Sequence, residues 1–157
     1  MTREIYYDNS ATTRTREEAA KLVYEMLTDC YGNPSSLHSM GFAAEKEMSA
    51  ARAVIAEKLA AQPNEIYFTS GGTESDNIAI LGAAHAKKRA GNRIVTTAIE
   101  HPAVLRTMEA LEREGFEVTY LPVDEHGLVS VEDFKAAIRP DTILASIMFA
   151  NNEIGTI

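Results

Sequence analysis

The sequence holds one cysteine, Cys30, and no tryptophan. A lone cysteine cannot close an internal disulfide, so a disulfide-stapled scaffold is excluded, and a reducing cytoplasm is the expected location. No apolar run approaches the roughly 18 residues of a membrane span. The opening stretch, MTREIYYDNS, lacks the apolar core of a secretory leader. Basic residues are the minority, 15 Lys and Arg against 23 Asp and Glu, for a net charge of −8. Without a basic footprint, nucleic acid is not an expected partner. No His/Cys pair has zinc-ligand spacing, so no metal site is expected. Neither the Gly-Lys-Ser/Thr ending of a nucleotide P-loop nor the G-x-G-x-x-G dinucleotide fingerprint occurs.

What is present is a 157-residue chain, 45% hydrophobic and 24% charged, the composition of a globular domain. Residues 16–30 carry Ala20, Val23, Leu27 and Cys30 at helical spacing. A turn-rich YGNPSSLH follows. Residues 39–61 resume the period through Ala44, Met48, Ala51, Ile55 and Leu59, which predicts a long amphipathic helix. IYFT (66–69) reads as a short strand. From there the pattern alternates: helix over 73–90 with Ile78, Leu81 and His85 near one face, strand over 93–99, helix over 102–115. A strand over 116–123, a helix over 130–138 and a strand over 142–150 follow. Pro102 opens one helix and Gly115 lies beyond its end, the expected asymmetry. Ser130 and Asp133 are placed like a capping box. TILASIMFA is nearly continuous apolar, as in a strand covered on both faces. The expected fold is α/β, three layers, with a mostly parallel sheet between helices. An N-terminal helical segment (1–61) precedes the front part of an α/β domain (62–157). NNEIGTI leaves the last strand with no helix after it, so a larger domain is expected.

In such sheets ligands sit beyond the carboxyl ends of the strands. Ser70-Gly71-Gly72-Thr73-Glu74-Ser75, Glu100-His101-Pro102 and Asn151-Asn152-Glu153 each follow a predicted strand. Parallel strands would bring all three to one rim. The first cluster has an anion-binding layout, with glycines for close approach and a helix start that offers free amides. An ordinary cap, with Thr73 at the N-cap and Asp76 beyond it, explains the same residues equally well. His101, held extended by Pro102, could stack on a flat ligand, relay a proton or simply cap its helix. Asn151-Asn152 offers amides that both donate and accept, or a plain turn. His38, His85 and His126 lack companions that would give them a role. Cys30 is expected to be a packed thiol. All six lysines, Lys21, Lys46, Lys58, Lys87, Lys88 and Lys135, fall on predicted helices and none in a strand-end loop.

With YYDNSATT (6–13), YGNPSSLH (31–38), FTSGGTESDNIAI (68–80), EHPAV (100–104) and NNEIG (151–155) in order, the chain resembles the N-terminal part of the cysteine desulfurases. These are fold-type I pyridoxal 5'-phosphate (PLP) enzymes of the class V aminotransferase family. The resemblance implies that Gly72 and Thr73 hold the PLP phosphate, that His101 stacks on the pyridine ring, and that Asn152 contacts cofactor and substrate carboxylate. Ala11 and Thr12 match a segment near the active-site mouth. It also implies conversion of L-cysteine to L-alanine, with the sulfur passing through an enzyme persulfide to an acceptor protein of iron–sulfur cluster assembly. A homodimer is implied, with residues 1–61 as one possible contact.

The family's cofactor-anchoring lysine, its aspartate on the pyridinium nitrogen, its nucleophilic cysteine and its carboxylate-binding arginine match no position here. Cys30 is not at the nucleophile's place. The expectation is one side of a PLP site, inactive alone. Two other readings stand beside it: a selenocysteine lyase or another class V lyase or aminotransferase, and a non-catalytic remnant or interaction subunit.

Overall fold

The computed structural model describes residues 5–157. The chain divides into two compact units, the first ending at Phe68 and the second running Thr69–Ile157.

The first unit holds α1 (Glu17–Thr28), α2 (Ser39–Lys58) and a single 3-10 turn at Pro63–Glu65. His38 caps α2 by accepting from the Gly41 amide at 3.3 Å. That helix ends on Ala60 at φ 52°, where the Ala61 amide reaches back to the Ala56 carbonyl. This is the Schellman ending, built without its usual glycine. The expected apolar stripes are present, but they are not core in this chain. No residue of α1 is buried, and only Gly41 and Ala56 are buried in α2. Leu27 is 73% exposed and Leu59 66%. IYFT is irregular and pairs with no strand among the described residues; Phe68 lies under the Arg52 guanidinium instead, which is 5.0 Å from the ring centre.

The second unit runs α3 (Gly72–Lys87), β1 (Arg93–Thr97), α4 (Pro102–Arg113), β2 (Glu117–Leu121), α5 (Val131–Ala137) and β3 (Thr142–Ser146). The three strands form a parallel sheet in the order β2-β1-β3. Successive crossovers leave β1 in one direction and return past it in the other. Right-handed connections therefore put α4 and α5 on opposite faces, the expected three layers. The alternating sequence pattern is thus met, with differences at particular elements. β3 stops at Ser146, and Ile147 (42% exposed) and Phe149 (84%) leave the sheet. No residue of β3 is fully buried and Ala145 is exposed, so the strand is not covered on both faces as expected.

The core forms where α3 and α4 lie on the sheet. Ile80, Ala84, Ile94, Val104, Met108, Leu111 and Phe116 cluster there. Burying each larger side chain contributes about 1.5–3 kcal/mol. On α3 the buried positions are Ile80 and Ala84, whereas Ile78 is 56% exposed. α4 ends in a Schellman motif with Gly115 at φ 90°, and the Phe116 amide bonds the Leu111 carbonyl. Both side chains are buried, which supplies the apolar contact that accompanies this motif. In α5, Ser130 Oγ accepts from the Asp133 amide at 3.2 Å. Asp124 closes the turn before it, and chiefly the Leu128 amide holds its carboxyl below the usual range.

At the start of α3 the N-cap is Gly71, not Thr73. Glu74 folds back to accept from the Ser70 amide (2.6 Å) and the Ser70 hydroxyl (2.8 Å). These bonds, the amide first, lower its pKa below 4.5 against a small opposing effect of burial.

Leu111→Ala is expected to lower the unfolding free energy by about 2–5 kcal/mol in urea titrations, because it opens a cavity in the core. Leu27→Ala, at an exposed site, should change it by less than about 0.5 kcal/mol. Folding depresses the Glu74 pKa, so its contribution is complete above 4.5 and is lost as pH falls through the lower folded value. Urea midpoints of wild type and Glu74→Gln should therefore differ at neutral pH and converge in acid. A constant offset would contradict the reach-back.

Candidate functional site

β1 and β3 run parallel side by side, so the loops that leave them emerge at one rim. The loop after β1 carries Glu100 and His101, and the loop after β3 carries Asn151 and Asn152. Within each pair the first residue turns inward and the second outward. Glu100 is 6% exposed and Asn151 8%, while His101 and Asn152 are exposed. The Gly72 cluster reaches the region differently. It does not follow a strand, because IYFT is not one; it opens α3, which packs beside α4.

His101 is the N-cap of α4, and its Nδ1 accepts from the Ala103 amide at 3.1 Å. The capping role read from sequence as an alternative is therefore made. It leaves the ring attached by one nitrogen, and the acceptor role of Nδ1 puts the proton of a neutral imidazole on Nε2.

At α3 the N-cap glycine has no side chain to offer, and no side-chain cap bond is made. The first intrahelical bond runs from the Ser75 amide to the Gly71 carbonyl. Among the described residues the amides of Gly72, Thr73 and Glu74 have no hydrogen-bond partner. Gly71 is extended (φ 164°), a conformation any residue adopts. A Cβ added at Gly71 or Gly72 would meet nothing within 4 Å. The glycines thus answer neither to unusual dihedrals nor to crowding within the protein. They keep the approach to three unpartnered amides bare, at the end of a helix where an anion is favoured by about 0.3–1 kcal/mol. Glu74 keeps its negative charge but directs its carboxylate to Ser70 rather than to these amides.

Thr73 and His101 line one cleft of about 360 Å³, together with Asn77, Leu81, Arg106 and Thr107. Thr107 is buried and donates to Asn77 Oδ1 at 2.8 Å, which joins α4 to α3 at the floor. Arg106 is engaged by Glu109 at 2.8 and 2.9 Å. Gly72 adjoins this cleft in sequence without lining it, and Asn152 does not line it. The Asn152 side chain instead donates to Glu153 Oε1 at 2.9 Å. No group of three or more metal-ligating side chains occurs among the described residues. The lysines lie on α1, α2, α3 and α5 or, for Lys88, at the C-cap of α3, and none lines the cleft. Cys30 lines a groove between α1 and α2 with Leu22, Met26 and Met48. No helix among the described residues is long and apolar enough to cross a membrane.

Sequence reasoning treated Glu100 and Asn151 only as members of polar clusters. Their burial marks them as the residues that join the two loops. Nothing local distinguishes Asn151 from Asn152; only the path of the chain after β3 decides which turns inward. The residues fit a phosphorylated, flat cofactor: bare amides for a phosphate, a tethered imidazole, and a hydroxyl at Thr73 without a partner among the described residues.

Comparison with known proteins agrees in kind. The family profile described as aminotransferase class-V matches residues 5–157. A cysteine desulfurase IscS of Clostridium botulinum is 55% identical over all 157 residues, which make up 40% of that protein. The chain therefore spans about two fifths of the length of the curated relatives it matches. A solved NifS-like protein superposes with a TM-score of 0.91 at 44% identity, covering 98% of this chain and 42% of that one. The structure of SspA in complex with cysteine gives 0.85 at 38% identity, covering 94% and 43%. A parallel sheet flanked by helices, a bare helix start beside a histidine cap, and a profile match from residue 5 to residue 157 converge: this chain belongs to the class-V aminotransferase family.

Proposed function

We propose that this chain supplies the phosphate-holding side of a PLP site in a cysteine desulfurase. The observation that carries it is the uncapped start of α3, whose partnerless amides adjoin a cleft shared by Thr73 and His101. Class-V aminotransferases are in general PLP enzymes, and a structural relative is a complex with cysteine, which supports a cysteine-binding site. In this reading the Gly72 and Thr73 amides and the Thr73 hydroxyl hold the phosphate. His101, fixed through Nδ1, presents its ring face to the flat heterocycle and keeps Nε2–H to donate. Asn152 offers its carboxamide to the cofactor and to the carboxylate of L-cysteine. PLP, when bound, supplies the electron sink; the protein binds, orients and excludes water around it.

The reading extends to L-cysteine as substrate, L-alanine as product, a sulfur-acceptor protein of iron–sulfur assembly as partner, a homo-oligomer and a cytoplasmic setting. No lysine lines the cleft and Cys30 lies in the other unit, so this chain alone is proposed to be inactive.

In NMR titrations, millimolar PLP should shift the Gly72 and Thr73 amide resonances, and pyridoxal, which lacks the phosphate, should not. Thr73→Ala should weaken the PLP response by about 1 kcal/mol, roughly fivefold. An equal response to pyridoxal would overturn the phosphate assignment. At micromolar PLP the chain should show no cofactor absorbance band, and with L-cysteine added no sulfide above that from free PLP. Robust turnover would refute the proposed inactivity.

A further inference from the structure

The backbone ladder between β1 and β3 ends at the Thr96–Ser146 pair. Beyond it the two loops are joined by side chains. Glu100 Oε1 accepts from the Met148 amide at 2.7 Å and from Thr97 Oγ1 at 2.9 Å. Asn151 Nδ2 donates to the Ile99 carbonyl at 3.0 Å. In both cross-loop bonds the donor comes from the β3 loop and the acceptor from the β1 loop, so side chains join the two loops where the backbone ladder has ended. Asn151 is held in turn by its own loop. Its Oδ1 accepts from the Glu153 and Ile154 amides at 2.9 and 3.1 Å, and its backbone bonds Thr156 and Gly155.

A buried carboxylate is an expensive way to join two loops, since its desolvation costs several kcal/mol unless strong partners meet it. A charged acceptor gives shorter and stronger bonds than a neutral one. What this secures is the spacing of the next residue on each loop. Glu100 precedes His101 and Asn151 precedes Asn152, and both followers face outward at the rim.

From this we infer that Glu100, with Asn151, is a positioning residue: its buried carboxylate sets the placement of His101 relative to Asn152 across the two strand-end loops. Its relevance to catalysis rests on the PLP reading above; the coupling of the loops does not.

The test reads each variant on the opposite loop, so that adjacency in the chain cannot account for the result. In Glu100→Ala of the 157-residue chain, hydrogen exchange at the Met148 amide should accelerate roughly 10- to 100-fold. The Asn152 carboxamide resonances should move as well. In Asn151→Ala the His101 imidazole resonances should move. Glu100→Gln, near-isosteric with a neutral acceptor, should fall between wild type and Glu100→Ala, and it carries the test if the alanine variants do not fold. Unmoved Asn152 resonances in both Glu100 variants would overturn the inference, even with faster exchange at Met148, because Glu100 would then be a local structural residue only. Millimolar PLP added to the same samples separates the two proposals. In wild type its effect should extend from Gly72 and Thr73 to His101 and Asn152 together; in Glu100→Ala it should persist at Gly72 and Thr73 and be lost at Asn152. If wild type shows no PLP response, the cofactor reading fails while the exchange and cross-loop shifts still decide the positioning role.

Discussion

The second unit is organised by the position of β1. It is the middle strand, paired in parallel on both sides, and Ile94, Val95, Thr96 and Thr97 are all fully buried. A parallel neighbour sends its carboxyl end in the same direction, so whatever follows β1 and β3 must emerge together. Ile94 of this strand belongs to the core cluster formed by the side chains of α3 and α4. Any change that loosened it would disturb the rim and the core at once. At the rim, Glu100 and Asn151 join the two loops where the backbone ladder stops.

The start of α3 follows a different logic. Most helix starts satisfy an amide with a Ser, Thr, Asp or Asn side chain. Here the N-cap is glycine, the nearby carboxylate turns away to Ser70, and three amides stay bare. A glycine N-cap gives up only roughly a few tenths of a kcal/mol of helix stability relative to a side-chain cap. It also leaves a site of positive potential open to an anion, which an ordinary cap would fill. Stability and binding compete for the same donors at this position. His101 resolves that competition the other way at α4, where its ring occupies a cap donor and becomes fixed in orientation.

The first unit shows the limit of helical periodicity as a sign of burial. α1 and α2 carry apolar residues at the right spacing, yet Leu22, Val23, Tyr24 and Leu27 are more than half exposed. Periodicity reports which face can be buried, not what buries it. IYFT shows the same limit for strands. Its residues have β propensity, but a strand exists only where a neighbour shares its hydrogen bonds, and none does among the described residues.

The sequence by itself determined the helix and strand alternation of the second unit, the proline and glycine that bound α4, and the motifs that carry the family resemblance. These are local: dihedral limits, capping and side-chain periodicity act within a few residues. It also marked Gly72, Thr73, His101 and Asn152 as candidates. Tertiary structure alone decided which members of each polar cluster face inward, that Thr73 and His101 share a cleft while Asn152 stands apart from it, and that Ile80 rather than Ile78 enters the core. Those outcomes depend on where a distant strand or helix lies, and adjacent residues such as Asn151 and Asn152 have the same local chemistry. Only the return of the chain past β1 gives the first of them the Ile99 carbonyl and leaves the second to solvent.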